Sequence, residues 1–177
     1  MEAEWIDLGA ATVDGVLCRF GYMLLADREA AMRETRRVLR PGGRVALAVW
    51  DVFERNPWMA VARRELVERG LMEPPPPGAP GPMALAEPGL LEALLDGAGF
   101  DDPVVDTVDV VFEAPSLDAW WEHTVKTSPG TAHALGGVSP AEHYRLREAV
   151  DAGYAPYVAD DGSVAIPGRA LVAAATA

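Results

Sequence analysis

An α/β fold with a parallel sheet is predicted by three features between residues 13 and 51: an apolar run, a capped helix, and a second apolar run entered through a proline–glycine turn. The first run, Val13 to Phe20 (Val-Asp-Gly-Val-Leu-Cys-Arg-Phe), reads as a strand. Asp27 stands where an N-cap belongs, and Asp27 and Glu29 place negative charge at the positive end of a helix dipole. Arg33, Arg36, Arg37 and Arg40 gather toward the opposite end, so residues 28–39 are expected to be helical. Pro41 cannot continue that helix, and Gly42 and Gly43 permit a left-handed exit turn. Arg44 to Trp50 is then a nearly continuous apolar run, which suits a parallel strand covered on both faces.

The remaining elements follow in order. Asn56-Pro57 reads as N-cap and first helical residue, with Trp58, Val61, Ala62 and Leu66 at helical spacing before Gly70. The tract from Pro74 to Pro82 is a loop with polyproline character. Leu90, Leu91, Leu94, Leu95 and Ala98 share one helical face, Pro88 suits the first turn, and Gly99-Phe100 suits a Schellman stop. Val104 to Phe112 is a valine-rich strand; Asp106 and Asp109, three apart on it, point to opposite faces and do not form a catalytic pair. Ser116 and Asp118 open a short helix carrying Trp120, Trp121 and His123. Ser139-Pro140-Ala141-Glu142 is a capping box for a helix through about Ala152, on which His143 and Tyr144 read as structural. After the Asp160-Asp161-Gly162 turn, Val164 to Ile166 and Arg169 to Ala175 are strand-like around Pro167-Gly168. Glycine pairs occur at Gly42-Gly43 and Gly136-Gly137, neither between a strand and a following helix, where a phosphate- or cofactor-cradling loop belongs.

Composition bounds the function. The 177 residues, 50% hydrophobic, suffice for one core, and a single domain over 1–177 is expected. Fifteen basic residues against twenty-seven acidic ones give a net charge of −12, which argues against nucleic-acid substrates because phosphate binding relies on Lys and Arg. The arginines from Arg33 to Arg44 read as a solvated helix face, with Glu29 and Arg33 spaced as an i, i+4 pair. No run of 18 apolar residues predicts a membrane span, and Glu2 and Glu4 are unlike a secretory leader, so a cytoplasmic protein with no membrane partner is expected. The single cysteine, Cys18, offers neither disulfide nor metal cluster and reads as a packed hydrophobe. His123 reads either as a candidate general base or as a surface or packed residue beside the tryptophans, while Asp51, Asn56 and Trp58 read as pocket residues, or Asn56 as a cap and Trp58 as a core anchor.

Residues 13 to 51, above all the Val-Leu-Arg-Pro-Gly-Gly block, resemble the fourth strand, following helix and fifth strand of class I S-adenosylmethionine-dependent methyltransferases, of the type 11, quinone and natural-product kind. The opening Glu2-Ala3-Glu4-Trp5-Ile6-Asp7-Leu8 resembles the segment after the family's third strand, and the remainder resembles its C-terminal half. The resemblance implies a partial Rossmann-like fold: a mixed sheet with strands 4 and 5 parallel, an antiparallel terminal strand inserted beside the fifth, and helices on both faces. It implies substrate-side helices and loops over 52–98 and 114–160. It implies S-adenosylmethionine as cofactor, with Glu2, one methylene longer than the usual aspartate, near the adenine, Ala3 contacting the ring through its backbone, and Arg19 and Phe20 bordering the cofactor. No catalytic residue is singled out, because methyl transfer to an activated acceptor can proceed largely by positioning.

The family's first strands, with their glycine loop and ribose-binding acid, have no counterpart here, corresponding to roughly 60 to 100 residues for units of about 30 or more. This predicts the C-terminal half of a small-molecule methyltransferase, inactive alone. Without a neighbour, the strand at 13–20 would be an open edge, so a homo-oligomer or association with a missing N-terminal half through that edge is expected. A non-catalytic partner subunit that stabilises another protein, and a different nucleotide-binding Rossmann protein, are the other readings.

Overall fold

The computed structural model describes residues 3–177. A four-stranded sheet runs in the order β1-β2-β4-β3, with β1 at Val13–Arg19, β2 at Leu39–Trp50, β3 at Asp101–Ala114 and β4 at Val164–Thr176. β1 and β2 are parallel, with Leu17 opposite Ala46 and Cys18 opposite Leu47. β4 runs antiparallel to β2, from Arg44 opposite Thr176 to Trp50 opposite Ala170. Among the described residues six α-helices accompany these strands: α1 Arg28–Val38, α2 Pro57–Glu68, α3 Leu90–Gly97, α4 Leu117–Thr127, α5 Pro129–Leu135 and α6 Pro140–Tyr154. No helix among the described residues is long and apolar enough to cross a membrane. The chain divides into two compact units.

The first unit comprises the residues up to Val52, together with Pro76–Val108 and Arg169–Ala177. Its core joins Ala31 and Met32 of α1, Leu91 and Leu95 of α3, Val45, Leu47 and Val49 of β2, and Ala173 and Ala175 of β4. Asp27 caps α1 by accepting from the Ala30 amide at 2.8 Å. The expected left-handed turn is present at Gly42, but it falls within the strand rather than between helix and strand. The helix ends at Val38, Leu39 is already extended, and Arg40 to Gly43 bulge from the strand, so that β1 from Val13 to Gly15 spans β2 from Leu39 to Arg44. Gly42 sits at φ 79, and a Cβ on Gly43 would lie 2.9 Å from the Arg40 carbonyl oxygen, so the bulge requires both glycines. In β2 the expectation of equal cover on both faces needs correction: Val45, Leu47 and Val49 are buried, whereas Ala46, Ala48 and Trp50 on the other face are half-buried. Small alanines there carry little apolar area to cover.

α3 ends in the expected Schellman motif, with the Phe100 amide donating to Leu95 and the Gly99 amide to Asp96. Its start is corrected: Gly89, at φ 84, is the N-cap, and Pro88 precedes the helix rather than entering its first turn. Leu91 and Leu95 face the core, while Leu90 lies on the rim, 41% exposed. The proline-rich tract is anchored to this unit, the Gly78 carbonyl accepting from Arg28 and the Gly81 amide donating to Met23.

The second unit comprises Phe53–Pro75 and Asp109–Gly168 and is mostly helical. Val61, Ala62 and Leu66 of α2, Trp120 and Trp121 of α4, and Leu146, Val150 and Tyr154 of α6 form its core with Val164 and Ile166. Ser116 and Ser139 cap α4 and α6 as expected. Ser128-Pro129 repeats the same signal and opens α5, a two-turn helix absent from the sequence reading. Asn56 holds the expected N-cap position of α2, with Pro57 as the first helical residue, but it caps through its backbone carbonyl, which accepts from the Met59 and Ala60 amides. It is fully buried, and its side-chain oxygen accepts from the Trp58 indole at 2.9 Å instead of from an amide of the first helical turn. Gly168 lets β4 pass close to aromatic side chains, since a Cβ there would lie 3.0 Å from both Trp58 and Phe112.

Candidate functional site

In an open α/β sheet, ligands collect beyond the carboxyl ends of the strands, so the ends of the parallel pair β1 and β2 define where to look. Arg19 closes β1, opposite Ala48, and Phe20 follows it with its amide donating to the Ala48 carbonyl at 2.8 Å. Phe20 adopts φ 57, a left-handed backbone that bulky residues avoid and that costs on the order of 1–2 kcal/mol. The chain tolerates it where the ring stacks on Trp50 of β2, centroids 4.1 Å apart and planes within 14°. The Arg19 guanidinium lies 5.9 Å from the Phe20 centroid. Gly21 completes the bend, since a Cβ there would sit 2.6 Å from the Cys18 sulfur. Tyr22 then turns inward and bonds the Thr35 hydroxyl of α1, both side chains buried, and burial pushes its phenol pKa up.

Ala3 is half-buried and packs against the first unit's core, as Phe20 and Trp50 do. Its segment is held by Arg37, which is not simply part of a solvated helix face. Arg37 donates to the Leu8 carbonyl at 2.8 Å and the Ile6 carbonyl at 2.9 Å, and forms a bidentate pair with Glu34 at 2.8 Å. Glu34 in turn accepts from the Ile6 amide at 3.2 Å. The Arg37 hydrogen bond holds the Glu34 carboxyl below its ordinary range, and Glu34 raises Arg37 in return. Arg36 is also engaged, donating to the Gly99 carbonyl beyond α3. Glu29 and Arg33 do form the expected exposed pair, at 3.7 Å. Glu2 lies outside the described residues.

Other candidates are placed as follows. Cys18 is half-buried in β1 and packs against the core. The Asp51 carboxylate accepts from the Val52 amide at 2.8 Å. Trp58 stacks obliquely with Phe112 at 4.5 Å, in the second unit's aromatic cluster. His123 is exposed, its ring 5.6 Å from Trp120. No carboxylate orients it among the described residues, which deprives it of the partner a general base ordinarily uses. His143 meets Trp121 edge-on at 6.3 Å, whereas Tyr144, read as structural, is 70% exposed. Asp106 and Asp109 are both exposed on β3. No group of three His, Cys, Asp or Glu residues able to hold a metal gathers among the described residues.

Residues 1–47 match a family model described as a methyltransferase domain. No curated protein matches the sequence. Among solved structures, a candidate methyltransferase from Bacillus halodurans superposes with a TM-score of 0.58 at 15% identity, over 99% of this chain and 69% of that one. The YcgJ protein of Bacillus subtilis gives the same TM-score at 14% identity, over 99% of this chain and 68% of its own. At such identities the likeness is one of fold.

Proposed function

We propose, taking as premise that this chain has the fold of class I S-adenosylmethionine-dependent methyltransferases, that it forms one wall of a small-molecule methyltransferase site. The observation that carries the reading is the strained, stacked Phe20 at the end of β1, beside Trp50 at the end of the parallel neighbour. Strain of this kind persists where the surroundings enforce it, and it concentrates at ligand sites. S-adenosylmethionine supplies an electrophilic methyl group on a positively charged sulfur. The chain's part is to position: Phe20 and Trp50 offer an aromatic surface, Arg19 a cation beside it, and the Ala3 segment, clamped by Arg37 and Glu34, a backbone edge. Aromatic and backbone groups of this type suit a purine ring. Nothing among them must lose a proton, so transfer rests on approach geometry, with acceptor deprotonation only where the acceptor requires it.

A glycine loop between strand and helix is not among these residues, so the wall alone is expected to hold the cofactor weakly. β1 supports the accompanying proposal of association through its edge, since among the described residues it has a single neighbour in the sheet. The edge is covered by a second copy or by the N-terminal half that carries the glycine loop. Calorimetric titration with S-adenosylmethionine tests the first point. Weak binding that shifts the Ala3, Arg19 and Phe20 amide resonances supports the wall; micromolar binding by this chain alone would remove the need for a second part. Unperturbed amides at saturating cofactor would sink the assignment. A monomer at all concentrations in sedimentation, with no gain in affinity on adding a glycine-loop half, favours instead a non-catalytic subunit.

A further inference from the structure

The second unit contains a cavity of about 510 Å³ that none of the preceding residues uses. Its volume falls in the range of small-molecule sites. One wall is a face of α2, with Pro57, Ala60, Val61, Arg64 and Val67 at helical spacing. The two short 3-10 turns at Phe53–Arg55 and Ala155–Tyr157 contribute an aromatic each, Phe53 and Tyr157. Gly153 brings α6 against α2 there. A Cβ at that position would stand 2.5 Å from Val61 Cγ1, so only glycine permits the approach without displacement.

The charge of this cavity runs against that of the chain. Arg63 and Arg64 line it, opposed by Glu54, in a protein of net charge −12. Arg63 lies 5.9 Å from the Phe53 centroid, and no carboxylate reaches it within ion-pair distance among the described residues. Arg64 approaches Glu65 at only 3.6 Å, and Glu65 also serves Arg69 at 3.4 Å. A guanidinium resting on an aromatic ring keeps its planar donor edge available, and that edge matches a carboxylate. Aliphatic and aromatic walls beside it match an apolar body.

We propose that this cavity is a binding site for a small amphiphilic carboxylate, its anionic head on Arg63 and its hydrocarbon or aromatic body against Val61, Val67 and Tyr157. The site lies wholly within the second unit and does not depend on cofactor binding by the first. The test is an NMR titration of the full chain with 4-phenylbutyrate, run beside 4-phenylbutanol and 4-phenylbutylamine, which share the body and change the head. Saturable shifts are expected at Phe53, Ala60, Val61, Gly153 and Tyr157 with the carboxylate, weaker binding of the alcohol, and none of the amine. Arg63→Met, which keeps an apolar stem at a half-buried surface position, is expected to weaken carboxylate binding on the order of ten-fold or more. Ala60→Leu, which fills the cavity, is expected to reduce binding of carboxylate and alcohol alike. Equal binding of all three probes, unchanged affinity in R63M with folding verified by circular dichroism, or shifts confined to other residues would overturn the proposal.

Discussion

The two compact units are stabilised by different means. In the first, position is set by strand register: Cys18 opposite Leu47, Arg19 opposite Ala48, and the bulge from Arg40 to Gly43 all follow from backbone pairing. In the second, position is set by side chains. Tyr154 of α6 donates to the Trp58 carbonyl at 2.9 Å, Arg147 joins Asp118 at 2.9 Å and Asp151 at 2.8 Å while lying over Trp121, and Glu142 meets both Arg69 and Arg145. A sheet can hold one residue in a strained conformation because neighbouring strands over-determine it, whereas a helical cluster adjusts through rotamers. The strained Phe20 belongs to the first unit and the open cavity to the second, in keeping with that division.

Four experiments would break or sharpen the contrast. Truncating Leu47→Ala at the centre of the sheet should cost about 2–5 kcal/mol in urea unfolding, the usual range for a fully buried leucine. A loss well below that would show the register is not what organises this unit. Next comes Gly21→Ala, whose added Cβ meets the Cys18 sulfur; overpacking should cost about 1–3 kcal/mol, and a double-mutant cycle with Cys18→Ala should recover part of it. Additive behaviour of the pair would mean the bend adjusts freely.

In the second unit, Tyr154→Phe removes the hydrogen bond to Trp58 and should cost about 1 kcal/mol at neutral pH. Burial raises the Tyr154 pKa above the ordinary value of about 10, as it does for Tyr22. The folded state therefore keeps the phenol proton that the unfolded chain sheds, and stability present below pH 10 or so declines as pH rises beyond it. Y154F should show a shallower alkaline decline than the parent, and parallel curves would refute the assignment. The smallest effect isolates strain. Phe20→Gly and Phe20→Ala both lose the Trp50 stacking, but only glycine accepts φ 57 without penalty, so F20G should exceed F20A in stability by about 1 kcal/mol.

Legibility in the sequence tracked the range of the interactions. α1, α2, α3, α4 and α6 are readable because caps, prolines and apolar spacing act within a few residues. The strand order, with β4 antiparallel beside β2, followed from the family resemblance rather than from periodicity, which does not report pairing. α5 escaped because two turns carry little periodic signal, although Ser128-Pro129 announced it. The clamp of Arg37 on Ile6 and Leu8 spans some thirty residues of chain and has no local signature. Neither has the left-handed turn at Phe20, since nothing intrinsic to phenylalanine favours it. The cavity at Arg63 combines residues 53–67 with 153–157, segments that only the tertiary fold brings together.

The alternation along β1 has a consequence for how the sheet assembles. Val16 and Cys18 point to the core side while Leu17 and Arg19 remain exposed. Sliding β1 by a single residue would turn the Arg19 side chain toward the half-buried, core-facing side that Cys18 occupies, where a charge loses water and is costlier than a misplaced methyl group. Arg19 therefore disfavours the nearest wrong alignment of the two parallel strands.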